Sequence, residues 1–428
     1  MRALIALLID WWRLVRSPRA RPYLLITLLV DGAFIFVFLV AIQSYLPEGH
    51  HVGASLPGYA LAVYGAAKLA AQLFAGRLID HAGRKQGLLW GLVLILVGQV
   101  GLLGAAAAPA AVFPAAAVYG TGAAVLWPAV YALASGTFDA GERARLTSAM
   151  MLTTGLALMI GLGLGFVLPP SFPYAAAAAL ALAVIVVAVA FAAGSRAEEA
   201  QEAGSQHALS TGTLSTVMKD ILQPQRLAFG LIVLLQATAI GALLAIFRSY
   251  GRDFLGVSLR EEALILAPAA MLAAGAVAAG GTLADRFGRS RLLAAGYLIA
   301  APALLVLSSV TTPGVAVAVA AMGGVGLGLA LPSIAATSMD LSHTAGQGTL
   351  LSWFMALEGL GHAAGPALGG LVNSAGDTQA VLRLVGVLFA VMAATAVALS
   401  LALIPRGATV DAQREGERLL VSRLDDSL

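Results

Sequence analysis

Gly76-Arg77-Leu78-Ile79-Asp80-His81-Ala82-Gly83-Arg84-Lys85 recurs as Gly281-Thr282-Leu283-Ala284-Asp285-Arg286-Phe287-Gly288-Arg289-Ser290. The copies lie 205 residues apart, counted from Gly76 to Gly281. Each is a basic, glycine-punctuated loop between two long apolar runs. A polar loop repeated at half-chain distance inside an apolar chain predicts a duplicated bundle of membrane helices.

The repeat extends outward from the two loops. Gly120-x-Gly122-x5-Pro128 is matched by Gly324-x-Gly326-x5-Pro332, an offset of 204. Gly155, Gly161 and Gly165 are matched by Gly359, Gly365 and Gly369 at the same offset. Pro18 and Pro224 are 206 apart. A generic Gly- and Ala-rich membrane protein explains these residues one by one, but not their common register.

Composition agrees. The 428 residues are 60% hydrophobic and 11% charged, where a soluble domain carries about 25% charged residues. The mean hydropathy is +0.90. Apolar runs of about 20 residues recur, each long enough for a hydrocarbon core of about 30 Å. Twelve spans are predicted, near 23–46, 56–76, 87–107, 111–135, 147–169, 174–194, 228–249, 263–282, 291–310, 314–337, 348–373 and 380–404. The fold class is therefore an all-α membrane protein, with twelve transmembrane helices in two pseudo-symmetric six-helix bundles.

An even span count puts both termini on one side. Most Lys and Arg lie in the tails and even-numbered loops, for example Arg13, Arg16, Arg84, Lys85, Arg143, Arg145, Arg286 and Arg289. The opposite loops hold Arg248, Arg252 and Arg260. The positive-inside rule makes both termini cytoplasmic, in a multi-pass protein of the cell inner (plasma) membrane. Residues 1–22 read as a cytoplasmic interfacial helix. Trp11 and Trp12 sit beside Arg13 and Arg16, Asp10 interrupts the apolar stretch, and no small-residue cleavage site follows. The remaining units are an N-terminal bundle at 23–194, a cytoplasmic linker at 195–227, a C-terminal bundle at 228–404 and a cytoplasmic tail at 405–428.

Enzymatic chemistry finds no support. There are no cysteines, and the histidines lack metal-ligand spacing. Gly161-x-Gly163-x-Gly165 lies inside an apolar span rather than after a strand, and no Walker loop occurs. No catalytic residue, cofactor, metal or nucleic-acid partner is expected, and a monomer in the lipid bilayer is.

The repeated loop, of form G-x-L-a-D-r-x-G-r-k, resembles the signature loop between spans 2 and 3 of the major facilitator superfamily. That family also carries a weaker copy between spans 8 and 9. The resemblance covers the whole chain in span count, linker position and motif placement. It implies alternating-access transport of a small molecule. It also implies a cytoplasmic gate built from Gly76, Asp80, Gly83, Arg84 and Lys85, with Asp285 and Arg289 in the second copy. Such a latch makes physical sense: an acid favours a helix N-terminus, and its salt bridges to basic residues break when the halves rock apart. His81 replaces the usual Arg after the acid.

Within that family, Asp31 is similar to the first-span acid of twelve-span drug/proton antiporters. Gly361-x3-Gly365-Pro366-x2-Gly369-Gly370 is similar to that group's glycine–proline motif, but stands in span 11 rather than span 5. Span 5 has Phe166 in place of the Pro, and span 4 has Ala116 where the group's Arg is expected. The glycines also suit close helix packing at small-xxx-small spacing.

Ionisable residues in mid-membrane give a sharper signal. Burying a charge there costs on the order of 3 kcal/mol or more, so it lines a cavity or has a partner. Asp31, Lys68 and Glu358 fall at similar depth, and His362 follows Glu358 by one helical turn. Two acids and one base leave a negative charge that can take a proton. Lys68 can pair with Asp31 or with Glu358, and exchange between them would form a coupling switch. The predicted cavity residues include Phe34, Tyr45, Tyr64, Tyr119, Trp127, Tyr131, Gln236 and Trp353. That set suits a hydrophobic or amphiphilic small molecule better than a sugar. Proton-coupled export is the leading expectation. Proton-coupled uptake or facilitated passage of an organic solute, or lipid translocation, are the alternatives.

Overall fold

The computed structural model describes residues 9, 11–46, 55–138, 140–167, 222–342, 347–375 and 377–402. Among these residues the regular structure is helical, with no strand. Spans 1 to 5 correspond to α1 (Arg21–Ile35), α2 (Leu56–Ala82), α3 (Arg84–Leu103), α4 (Val112–Thr137) and α5 (Ala140–Val167). Spans 7 to 12 correspond to α6 (Pro224–Ser249), α7 (Leu259–Phe287), α8 (Arg289–Leu307), α9 (Pro313–Ser342), α10 (Gln347–Ser374) and α11 (Thr378–Ala402). The sixth predicted span, most of the linker and the C-terminal tail lie outside the described residues.

Proline marks several helix starts. α1, α2 and α6 each carry Pro in the first turn, where a missing N–H costs nothing and the fixed φ suits the helix. The C-terminal ends of the first spans of the two halves depart from α geometry. α1 continues as a π-helix over Phe36–Tyr45, and α6 runs into a π-helical turn at Tyr250–Phe254. Ahead of α1, residues 11–16 are helical and a turn at 18–20 follows, where Pro18 is placed to end the helix.

The same helix pairs form in both halves of the sequence. α2 packs on α4 and α7 on α9; α3 on α4 and α8 on α9; α1 on α5 and α6 on α10. The contacts match residue by residue. Gly120 lies on the Tyr64 carbonyl, and Gly324 on that of Ala269. Gly122 abuts Gly91 and Ile95, and Gly326 abuts Gly296 and Ala300. Gly161 meets the Gly32 carbonyl, as Gly365 meets that of Thr238. The register read from the sequence is therefore a register of backbone-to-backbone contacts. Two buried apolar clusters follow the same division, one drawn from residues 20 to 150 and one from residues 229 to 399.

Across the halves, α2 packs along α10, and α5 meets α7. Seven helical stretches among the described residues are long and apolar enough to cross a membrane. α2, α5, α7 and α10 are outside that set. Helices that cover one another present protein-facing small and polar residues, so they carry less apolar surface than lipid-facing ones.

Candidate functional site

The repeated motif is not an open loop. α2 stays helical through Leu78, Ile79 and Ala82, and α7 through Phe287; a single glycine then separates each from the next helix. Gly83 has φ 91° and ψ 151°, and Gly288 has φ 91° and ψ 136°. Each glycine donates back to the ending helix, Gly83 to Ile79 at 2.9 Å and Gly288 to Ala284 at 2.9 Å. Each carbonyl also opens the following helix, accepting from Gly87 at 3.0 Å and from Leu292 at 3.1 Å. Side chains rarely tolerate this backbone region, which explains the glycine in both copies. Arg84, Lys85 and Arg289 are partnered. The side chains of Asp80 and Asp285 lie outside the described set, as does the surroundings of Gly76.

The mid-span charges divide into two groups. Lys68 of α2 reaches Glu358 of α10, with Nζ 3.9 Å from Oε1. His362 Nδ1 stands 3.8 Å from the same oxygen, beyond hydrogen-bond reach. Asp31 instead accepts a 2.6 Å hydrogen bond from Thr154 Oγ1 of α5. Of the two partners open to Lys68 in the sequence, the structure therefore pairs it with the acid of the opposite half. The pair is loose and unequal: the Lys68 side chain is 13% exposed and that of Glu358 44%. Beside it, His362 Nδ1 and Gln72 Oε1 are buried acceptors with no hydrogen-bond partner among the described residues. Gln72, one turn from Lys68, touches Gly359. Thr154 and Gln72 were not singled out in the sequence; a polar residue one helical turn from a mid-span charge is the signal that marks Gln72.

Sterics fix this cluster's frame. A Cβ at Gly65 would collide with the His362 carbonyl, so α2 and α10 touch backbone to backbone one turn from both charged residues. Gly361, Gly365 and Gly369 lie against Leu234, Thr238 and Ala242 of α6, while Gly370 meets Gly58 of α2. The glycine–proline motif in this chain thus packs α10 between α6 and α2.

Of the candidate cavity residues, Phe34, Tyr64 and Tyr119 gather with Phe38 into one four-ring cluster, with centroids 4.9 to 6.2 Å apart. Tyr119 is buried, and its hydroxyl points at the Val30 carbonyl, 3.5 Å away, in the turn before Asp31. Trp127 and Tyr131 stack at 6.3 Å, with Tyr131 exposed. Gln236 is buried and accepts from Tyr297 of α8. Trp353 packs on Phe354 at 5.2 Å. Tyr45 lies in the π-helical segment, and its side chain is outside the described set. These elements bring together an aromatic cluster, an acid bonded to Thr154 and a lysine set against Glu358 of α10.

The Major Facilitator Superfamily profile matches residues 24–350 and 273–424. The chain belongs to the major facilitator superfamily, and so to a family of membrane transporters that bind small-molecule substrates. No curated protein matches the chain.

Proposed function

We propose that this chain is a twelve-helix transporter of two pseudo-symmetric bundles that exports a small hydrophobic or amphiphilic organic molecule, driven by inward proton flow. Both termini face the cytoplasm of the inner membrane. The observation that carries the reading is the division of charge. Lys68 stands against Glu358 across the halves of the sequence, while Asp31 is bonded to Thr154. A proton arriving at Glu358, whose side chain is 44% exposed, releases Lys68 from the opposite half. Lys68 can then turn to Asp31, within its own half. Each protonation state favours a different inter-half contact, which is what coupling requires. Phe34 and Tyr64, partly exposed and backed by the buried Phe38 and Tyr119, supply apolar surface for the substrate.

Proteoliposomes with an imposed pH gradient test this. Purified wild type should move a lipophilic dye uphill, and Glu358→Gln should move it only downhill. Uphill transport by Glu358→Gln at the wild-type rate would remove Glu358 from the coupling step. A second reading, proton-coupled uptake of an organic solute, draws on Ala116 and Phe166 standing where the antiporter group has Arg and Pro. The same vesicles distinguish the two by the direction of dye movement relative to the gradient.

A further inference from the structure

A second polar network, away from the mid-span charges, closes the outer ends of α1 and α6. Gln43 in the π-helical segment is 4% exposed. Its Nε2 donates to the Leu244 carbonyl at 2.5 Å, and its Oε1 accepts from the Arg248 backbone N–H at 3.2 Å. Residues 244 and 248 are the i and i+4 positions of one helical turn. The Gln43 amide therefore inserts into the hydrogen-bond ladder of α6 and satisfies both ends of one rung. Behind it, the buried Arg248 guanidinium donates to Glu262 Oε2 at 3.1 Å and to the Val257 carbonyl at 3.2 Å. Glu262, in the capping turn of α7, also accepts from the Gly251 backbone, where a Cβ would strike the carboxylate. Arg248 Nε has no partner among the described residues.

We propose that Gln43 is the bolt of an outer gate between α1 and α6, and that Glu262 is the site through which an external proton withdraws it. This rests on the alternating-access reading above. Neutralising one member of a buried ion pair leaves the other charge uncompensated away from water, so the remaining guanidinium, with one N–H already unsatisfied, is driven to leave its place. Neutralising Glu262 frees Arg248, whose backbone N–H is half of the Gln43 socket. The groups facing Glu262 fit this role. Burial pushes the Glu262 carboxyl up to about 8 against the opposing pull of Arg248 and Arg252, and Arg252 is already engaged by Asp253 at 2.6 Å. Tyr250 lies within its field, and Glu261 is turned away to Ser258. The π geometry at both outer ends suits a hinge, since π turns are less regularly bonded and concentrate at functional sites.

The chain contains no cysteine, so one introduced thiol reports alone. V40C places it at a fully buried site one turn inside Gln43. T312C, exposed between α8 and α9, corrects for the thiol's own titration. Intact cells are labelled with a membrane-impermeant maleimide, and dye extrusion is recorded in the same cells. The V40C/T312C ratio should rise several-fold as external pH falls through the neutral range. With Q43A or E262Q added, it should be high and flat. A flat ratio in the otherwise wild-type chain, or an E262Q variant that keeps the pH response, overturns the proposal. If E262Q fails to reach the membrane, E262D serves: a shifted midpoint supports the proposal and an unmoved one overturns it. Dye extrusion intact with a flat ratio overturns the gate alone. A pH-dependent ratio without extrusion supports the gate and overturns the transport reading.

Discussion

Thr154 is the residue that bonds Asp31. Its hydroxyl gives the carboxylate a 2.6 Å charge-assisted bond, an interaction worth about 1.5–3 kcal/mol. Thr154→Val keeps the shape and removes the donor. The expected outcome is at least about a tenfold loss of uphill transport, a barrier change of about 1.4 kcal/mol. Downhill movement of the same dye should persist. Equal loss of both would make Thr154 a packing residue. Asp31, Lys68, Glu358 and His362 were all legible in the sequence, because a charge in an apolar span is conspicuous. Their pairing was not. Lys68 had two acids at equal depth, and only helix azimuth, which sequence does not carry, decides between them. Arg248 shows the opposite failure. By topology it counted as an outer-loop charge, yet it is buried within α6 and bonded to Glu262. Nothing in the intervening segment announces the turn that joins them.

At the scale of elements, the contact of α2 with α10 is the axis on which the halves meet. A side chain at Gly65 must displace the His362 backbone, and overpacking of this kind costs about 1–3 kcal/mol. Gly65→Val should lower the melting temperature in detergent by several degrees. Gly163→Ala, where a Cβ meets nothing within 4 Å, should leave it unchanged; equal effects at both positions would refute the close-packed axis. The start of α7 offers a pH test. Ser258 and Glu261 form a reciprocal cap, with Ser258 N and Oγ each donating to Glu261 at 2.8 Å. These bonds hold the Glu261 carboxyl below its ordinary value of 4.5. The contribution is therefore complete above that value and is lost as pH falls through the lower, folded one. Comparing melting temperatures of wild type and Glu261→Ala, the difference should shrink toward zero in acid. A constant difference would mean that the cap does not depend on the charge. Helix positions were readable from apolar run length. The π-helical segments were not, because Phe36–Tyr45 has the composition of any buried apolar helix and its geometry is set by neighbours.

At the scale of the whole molecule, the described residues carry a repeat written in glycine. Positions spaced by about 205 residues, such as Gly120 and Gly324 or Gly122 and Gly326, make equivalent contacts in both halves. That is why the register of one duplicated loop carries over to the helix contacts of the described residues. It is also why substrate and direction were not legible: the repeat specifies packing, which does not distinguish one cargo or direction from another. Asp31 and Lys68 belong to one half of the sequence, Glu358 and His362 to the other, and the proposed coupling uses this asymmetry. The most direct test is accumulation of a fluorescent lipophilic cation in drug-sensitive bacterial cells carrying wild type, Asp31→Asn or empty vector, with and without a protonophore. Proton-driven export through Asp31 predicts lower accumulation in wild type alone, abolished by the protonophore. Wild-type accumulation equal to that of empty vector, or Asp31→Asn as effective as wild type, would contradict it.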